Sequence, residues 1–309
     1  MAFVAQDSGT AAAVYLALYS IYLVFAATIV IKEGFKTLYF FFVTFGIFRV
    51  VGQLCGVVFA AVGFEHWQWL VAYLVFTAEG YFILILSTFH FVAKAQSDTF
   101  GTSWLRPTKK EIKERRKAHT NRFRAGLEEY TFSRLFHMIL IPGNAILIAG
   151  GSMLAGMDPN DMNSKNSQVI TSKALRTVGQ AIFLAQTCIA IGTAIYVAVA
   201  EGLASNIHVI AVFLGAPFLL VRGIFGVLAI YIHDMDYFDS SNYTAHGLNS
   251  KFVVYEYVLA ATMEFVTACI YIGVYYVYKH KQKLANLSPQ DSEQNLVTSG
   301  EKDSDSDKH

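Results

Sequence analysis

Charge is what this sequence has least of. Acidic and basic residues together fill 15% of 309 positions against 54% hydrophobic ones, and the mean hydropathy is +0.42. That balance excludes a water-soluble monomer of ordinary composition. Proline is nearly as scarce, with five residues and no glycine period. Together with 15% aromatics, this excludes a collagen-like or wholly disordered chain. Cys55, Cys188 and Cys269 each fall inside an apolar run, too few and too scattered for a disulfide framework, and read as packing residues. No nucleophile elbow, P-loop or GxGxxG fingerprint occurs, so an enzyme has no positive support, and neither a cofactor nor a nucleic-acid partner is implied. The segment Met1 to Thr10 lacks a positive n-region and the first apolar run is too long for a signal peptide, so that run is expected to stay as an anchor.

What the chain has in abundance is long apolar runs. Crossing about 30 Å of hydrocarbon takes about 20 helical residues, and seven stretches qualify: 11–31, 38–64, 69–92, 134–156, 175–200, 207–232 and 252–278. The expected fold is an all-α polytopic membrane bundle over residues 1–283, with a basic loop at 93–133 and a disordered acidic tail at 284–309. The short link from Glu65 to Gln68 requires spans 2 and 3 to form an antiparallel hairpin. Lys and Arg in the connecting segments alternate strongly, 17 on the side of the C-terminus and 3 on the other. The positive-inside rule then places the N-terminus outside and the C-terminus in the cytosol. The sequon Asn242-Tyr243-Thr244 falls on the glycosylation side of this topology, and a second sequon at Asn286 does not.

The segment Arg106 to Arg124 carries nine basic and two acidic residues and opens with Pro107, which predicts a helical extension attracted to anionic lipid. Ser304 and Ser306, in the DSDSD run of the tail, have the acidic context of phosphosites.

Polar residues inside the spans carry the functional expectation, because each buried charge costs about 2.5–3.5 kcal/mol to insert and usually marks pairing or function. Arg49 and Gln53 in span 2, Glu79 in span 3, Asn144 in span 4, Gln186 in span 5, Arg222 in span 6 and Glu264 in span 7 all fall near mid-depth. Two arginines balance two glutamates, with Arg49 matched to Glu79 and Arg222 to Glu264. One outcome is a set of structural ion pairs; the other is a midplane site for a substrate or lipid headgroup. Pro142 and Pro217 lie near this layer, where they would loosen their helices. Glu256 is placed nearer the outer face. A weak echo between spans 1–3 and 5–7, FRVVG against VRGIFG with a Glu in the following span, suggests a parallel repeat of the kind some transporters use. His90, His137 and His208 fall near the basic span ends, where interfacial anchoring is the ordinary role. No His-x-x-x-His or His-Glu-x-x-His spacing supports a metal.

The segments GIFRVVGQ (Gly46 to Gln53) and PFLLVRGIFGVL (Pro217 to Leu228), on seven spans with a basic third loop, resemble fungal seven-span membrane proteins. The nearest group is the RTA1-like family of lipid-translocating exporters and resistance proteins, together with allied uncharacterised fungal families. Arg222, Ile224 and Phe225 match that family's sixth-span pattern. Gly226 and Ala229 stand where a second Arg and a Glu would be, a departure that favours an allied branch. The resemblance implies a plasma-membrane or endomembrane protein that handles a lipid or amphiphile. Two readings from other classes stand beside it, a seven-span receptor and a non-transporting scaffold or tolerance factor. Span 3 ends in FHFVAKAQ without an Asp/Glu-Arg-Tyr switch and span 7 has no Asn-Pro-x-x-Tyr, features that lean against the receptor.

Overall fold

A computed structural model describes residues 5–63, 66–118, 131–153, 167–244 and 247–280. The tail 284–309, with Asn286, and residues 119–130 of the basic loop lie outside the described residues. Seven helices are long and apolar enough to cross a bilayer: α1 (Gln6–Glu33), α2 (Phe40–Val62), α3 (Gln68–Phe100), α5 (Phe132–Ser152), α6 (Ser167–Ala200), α7 (Ile207–Leu228) and α8 (Ser250–His280). A short helix, α4 (Lys109–Ala118), follows α3. Helix is what an apolar run of this length must form in hydrocarbon, because each backbone N–H and C=O then finds its partner within the same segment.

Chain polarity sets the boundaries. Thr131, Asn206 and Asn249 cap α5, α7 and α8, their side chains accepting from the backbone N–H of Arg134, His208 and Lys251. Gly101 ends α3 with φ at 74°, a left-handed exit that costs glycine little. Thr108 and Glu111 form a reciprocal capping box at α4: the Thr108 N–H donates to Glu111 Oε2 at 2.8 Å, and the Glu111 N–H to Thr108 Oγ1 at 3.4 Å. The helix therefore starts just after Pro107 and covers the Lys109–Ala118 part of the basic run. Both α5 and α7 run through their prolines, Pro142 and Pro217.

Helix α3 is the hub, packing against α2, α5, α6 and α7, while α1 touches α2 and α8 and is the least buried span. The core is aromatic: Tyr19, Phe42, Phe45, Tyr81, Phe89, Phe91, Phe183 and Tyr271 are fully buried. Large apolar side chains such as Ile21, Val24, Leu214 and Val199 lie exposed on the outside, as a bilayer-facing surface requires. The loop between α7 and α8 folds over the end of the bundle that carries the N-terminus. It contains a short antiparallel pairing of β1 (Tyr243–Thr244) with β2 (Gly247–Leu248). Asn242 is buried here and its Nδ2 donates to the carbonyls of His233 and Asp236, so in the folded protein this side chain holds the loop together. Tyr237, Tyr243 and Leu248 then pack on Cys55, Phe59, Leu70 and Tyr73.

One irregularity matters for function. Residues Tyr257–Ala261 of α8 form a π-turn. Its displaced backbone groups are satisfied locally and by α1: Thr262 Oγ1 donates to the Tyr257 carbonyl at 2.7 Å and the Tyr19 hydroxyl to the Ala261 carbonyl at 2.9 Å. The Tyr257 hydroxyl reaches across to Gln53 Oε1 at 3.1 Å.

Candidate functional site

Sequence spacing alone sets Glu256 and Glu264 on different faces of α8, since eight residues of regular helix turn through about 800° and leave them about 80° apart. The π-turn inserts one residue between them and reduces the offset to about 20°. Both carboxylates consequently face the bundle interior, and both are buried.

Glu264 is the centre of the charge cluster. Arg222 Nε donates to its Oε1 at 2.6 Å, and Arg49 Nη2 contacts its Oε2. Three helices, α2, α7 and α8, are thus tied at one carboxylate. Aromatic faces brace the cations, with the Arg222 guanidinium 4.9 Å from the Tyr81 ring centre and that of Arg49 5.8 Å from Tyr19. Tyr81 is itself held by hydrogen bonds to Thr187 at 2.8 Å and to the Leu219 carbonyl at 3.3 Å. Gly80 makes room for Arg49, because a Cβ there would strike the guanidinium.

The expected match of Arg222 with Glu264 is present, whereas Arg49 does not pair with Glu79. Glu79 instead accepts a hydrogen bond from Asn144 Nδ2 at 2.6 Å, joining α3 to α5. Arg49 enters α2 on the face turned to α8, next to the Phe45 and Tyr19 rings, and there Glu264 is the carboxylate it meets. Gln53 is tied to Tyr257, and Gln186 is buried on α6 with no partner for its Oε1. Of the seven polar residues read as one layer, Arg49, Arg222 and Glu264 form a single cluster. Glu79 with Asn144 forms a second, and Gln186 stands apart.

A cavity of about 120 Å³ adjoins the cluster in the half of the bundle that carries the N-terminus, between α3, α5, α6 and α7 and beneath the α7–α8 loop. Val71, Leu74, Val75 and Ala78 of α3 and Leu147 and Ile148 of α5 make its walls apolar. Its polar side is made of Arg222, Glu256, Arg176, Gln180, Thr77 and Tyr237. Arg176 Nη1 donates to Asp236 at 3.0 Å and its guanidinium lies 4.2 Å from the Phe238 ring centre. Glu256 receives the Tyr73 hydroxyl at 3.3 Å and has no ion pair among the described residues. Three polar atoms around this cavity have no hydrogen-bond partner, Thr77 Oγ1, Arg176 Nε and Gln180 Oε1, and the Tyr237 hydroxyl lies against the Glu256 carboxylate and the Tyr73 hydroxyl. Burial, and then the nearby Glu256 carboxylate, push the Tyr237 hydroxyl well above its ordinary pKa, so it stays a protonated donor. A native interior leaves few buried polar atoms unsatisfied, and three of them gather around this one space.

Sequence reading missed Arg176, Gln180, Tyr237 and the inward aim of Glu256. Arg176 lies in the first turns of a span, where a cation ordinarily anchors at the interface, and Tyr237 belongs to a loop with no periodic signal. The histidines take packing roles: His90 stacks on Phe41 with ring centres 5.1 Å apart and lies 5.6 Å from His137, while His208 meets Phe91 edge-on. Among the described residues no group of three His, Cys, Asp or Glu is placed to hold a metal ion. No protein-family model, curated protein or solved structure matches the chain.

Proposed function

We propose that this multi-pass membrane protein binds the polar head of a lipid or other amphiphile in the cavity beside Arg222 and Glu256 and moves it between leaflets. The supporting observation is the set of partnerless polar atoms, Thr77 Oγ1, Arg176 Nε and Gln180 Oε1, around walls that are otherwise apolar. An amphiphile matches both halves of that lining. Its head supplies the missing partners, and its chain lies along the side chains of α3 and α5. Arg49 and Arg222 exceed Glu264 by one charge and the buried Glu256 offsets it, so the head is held by hydrogen bonds more than by net charge. Orientation belongs to the same proposal. With the N-terminus outside and the basic face in the cytosol, the cavity lies in the outer half of the bilayer and the basic loop against anionic lipid.

The test uses the full chain reconstituted in phosphatidylcholine vesicles containing a fluorescent phosphatidylcholine, with an external quencher reporting exchange between leaflets. A combined Thr77→Val and Gln180→Leu variant removes two partnerless atoms without touching an ion pair. Removing unsatisfied polar groups leaves stability equal or higher, so a purely structural cavity predicts an intact and active variant. The proposal predicts an intact variant whose exchange falls at least about ten-fold, the worth of one lost hydrogen bond to a buried polar head. Exchange equal to that of the unaltered protein, or absent in both, overturns the proposal.

A further inference from the structure

A second and larger cavity, about 710 Å³, opens at the opposite end of the bundle, where α1, α3 and α8 end and α2 and α7 begin. Lys36, Lys94, Arg106 and Lys279 line it against only Glu33 and Asp98. Internal pairing uses up both acids. Glu33 takes Lys279 at 2.9 Å and the Tyr275 hydroxyl at 3.1 Å, and Asp98 takes Lys94 at 2.9 Å with His208 Nε2 at 3.4 Å. Lys36 and Arg106, both exposed, are left without a carboxylate among the described residues. The cavity therefore carries an uncompensated charge of two cations.

Its inner wall holds two histidines that sequence reading assigned to interfacial anchoring. His90 is 6% exposed and His208 3%, and each has an Nδ1 with no hydrogen-bond partner. Neither ring is free to turn toward another partner: His90 is stacked on Phe41 at 16° between planes, and His208 is fixed by Asp98 on one side and Phe91 on another. Exposed aromatic side chains, Phe35, Phe40 and Tyr278, lie at the rim, the kind of residue that settles at the level of lipid headgroups.

We propose that this cavity is a binding site for a dianionic phosphate group, held by Lys36 and Arg106 with His90 and His208 closing the inner wall. A phosphomonoester carries about −1.5 to −2 at neutral pH and several acceptor oxygens, which matches two unpaired cations and two partnerless imidazole nitrogens. The phosphate can belong to a lipid headgroup entering past the aromatic rim or to a molecule free in water. The site is independent of the amphiphile cavity and shares no lining residue with it.

The experiment places the full chain in phosphatidylcholine nanodiscs. One arm follows the melting temperature against inorganic phosphate, with sodium chloride of equal ionic strength as reference. The other adds phosphatidic acid to the nanodiscs and counts the lipids retained by native mass spectrometry. At least one arm is expected to show saturable binding, and which one responds names the source of the phosphate. Lys36→Gln with Arg106→Gln, at exposed positions, is expected to weaken that binding about ten-fold or more while leaving the ligand-free melting temperature unchanged. Lys109→Gln with Lys110→Gln removes equal charge from α4, outside the cavity, and is expected to leave binding within about two-fold of the original, as screened surface charge would. No response in either arm overturns the proposal. So does equal weakening by both double variants, which would reduce the site to diffuse attraction by a basic surface.

Discussion

Because Arg49 and Arg222 share the Glu264 carboxylate, the three residues are unequal under mutation. Removing either arginine leaves Glu264 with one cation, whereas Glu264→Gln leaves two guanidinium groups buried without a counter-charge. A buried charge stripped of its partner costs about 3–5 kcal/mol. Glu264→Gln is therefore expected to lower the melting temperature in detergent more than Arg49→Met or Arg222→Met, and an order in which either arginine dominates would contradict the shared arrangement. Exchanging Arg222 and Glu264 is expected to fail as a rescue, since the new arginine at 264 would face Arg49. Sequence alone identified all three residues from the expense of charge in an apolar span. It assigned Arg49 to Glu79 because counting depth along each span says nothing of the direction in which a side chain leaves its helix. The Asn144 amide that takes Glu79 instead was visible only as one more polar residue at the same depth.

At the scale of the helix, the π-turn at Tyr257–Ala261 is what brings Glu256 and Glu264 to one face. Deleting Val258, whose side chain is exposed, is expected to restore regular helix and leave Glu256 seven residues from Glu264, still about 20° away and at the cavity. The variant is expected to keep seven spans and the Arg222–Glu264 pair. Leaflet exchange, measured in the same vesicles, is expected to be retained. Lost exchange would show that the π-turn matters beyond the register it sets between the two carboxylates. The helices themselves were readable from apolar length, to within a few residues of the N-terminal limits that Thr131, Asn206 and Asn249 set. The α3 and α6 helices extend beyond the apolar stretches, to Phe100 and from Ser167, because polar turns such as Lys94–Asp98 continue a helix outside hydrocarbon at little cost. The π-turn left no trace in composition, since it is sustained by hydroxyls from Tyr19 on another helix and Thr262 on its own.

For the molecule as a whole, the 17 to 3 distribution of basic residues gives the orientation its test. An epitope fused after His309 is expected to be reached by antibody only after cells are permeabilised, and staining of intact cells would reverse the assignment. The seven-span architecture followed from hydropathy. The structured α7–α8 loop did not, because Asn242 and Tyr237 act through contacts distant in sequence. The three-helix junction at Glu264 also sets a problem of timing during synthesis. The α2 helix enters the membrane carrying Arg49 while Glu264 is still about 215 residues from being made, an interval of roughly 10–40 s at about 5–20 residues per second. During that wait the first acid to follow Arg49 inside a span is Glu79, one position from the Gly80 notch against which Arg49 lies. Glu79→Gln is expected to reduce the yield of inserted chains in pulse labelling, whereas Asn144→Ala, which breaks the same final hydrogen bond, is not. Equal yields would mean that the arginine enters unaided. The carboxylate that ends up bonded to Asn144 would then be a stand-in, holding a place in the nascent bundle that its permanent occupant reaches only with the last helix.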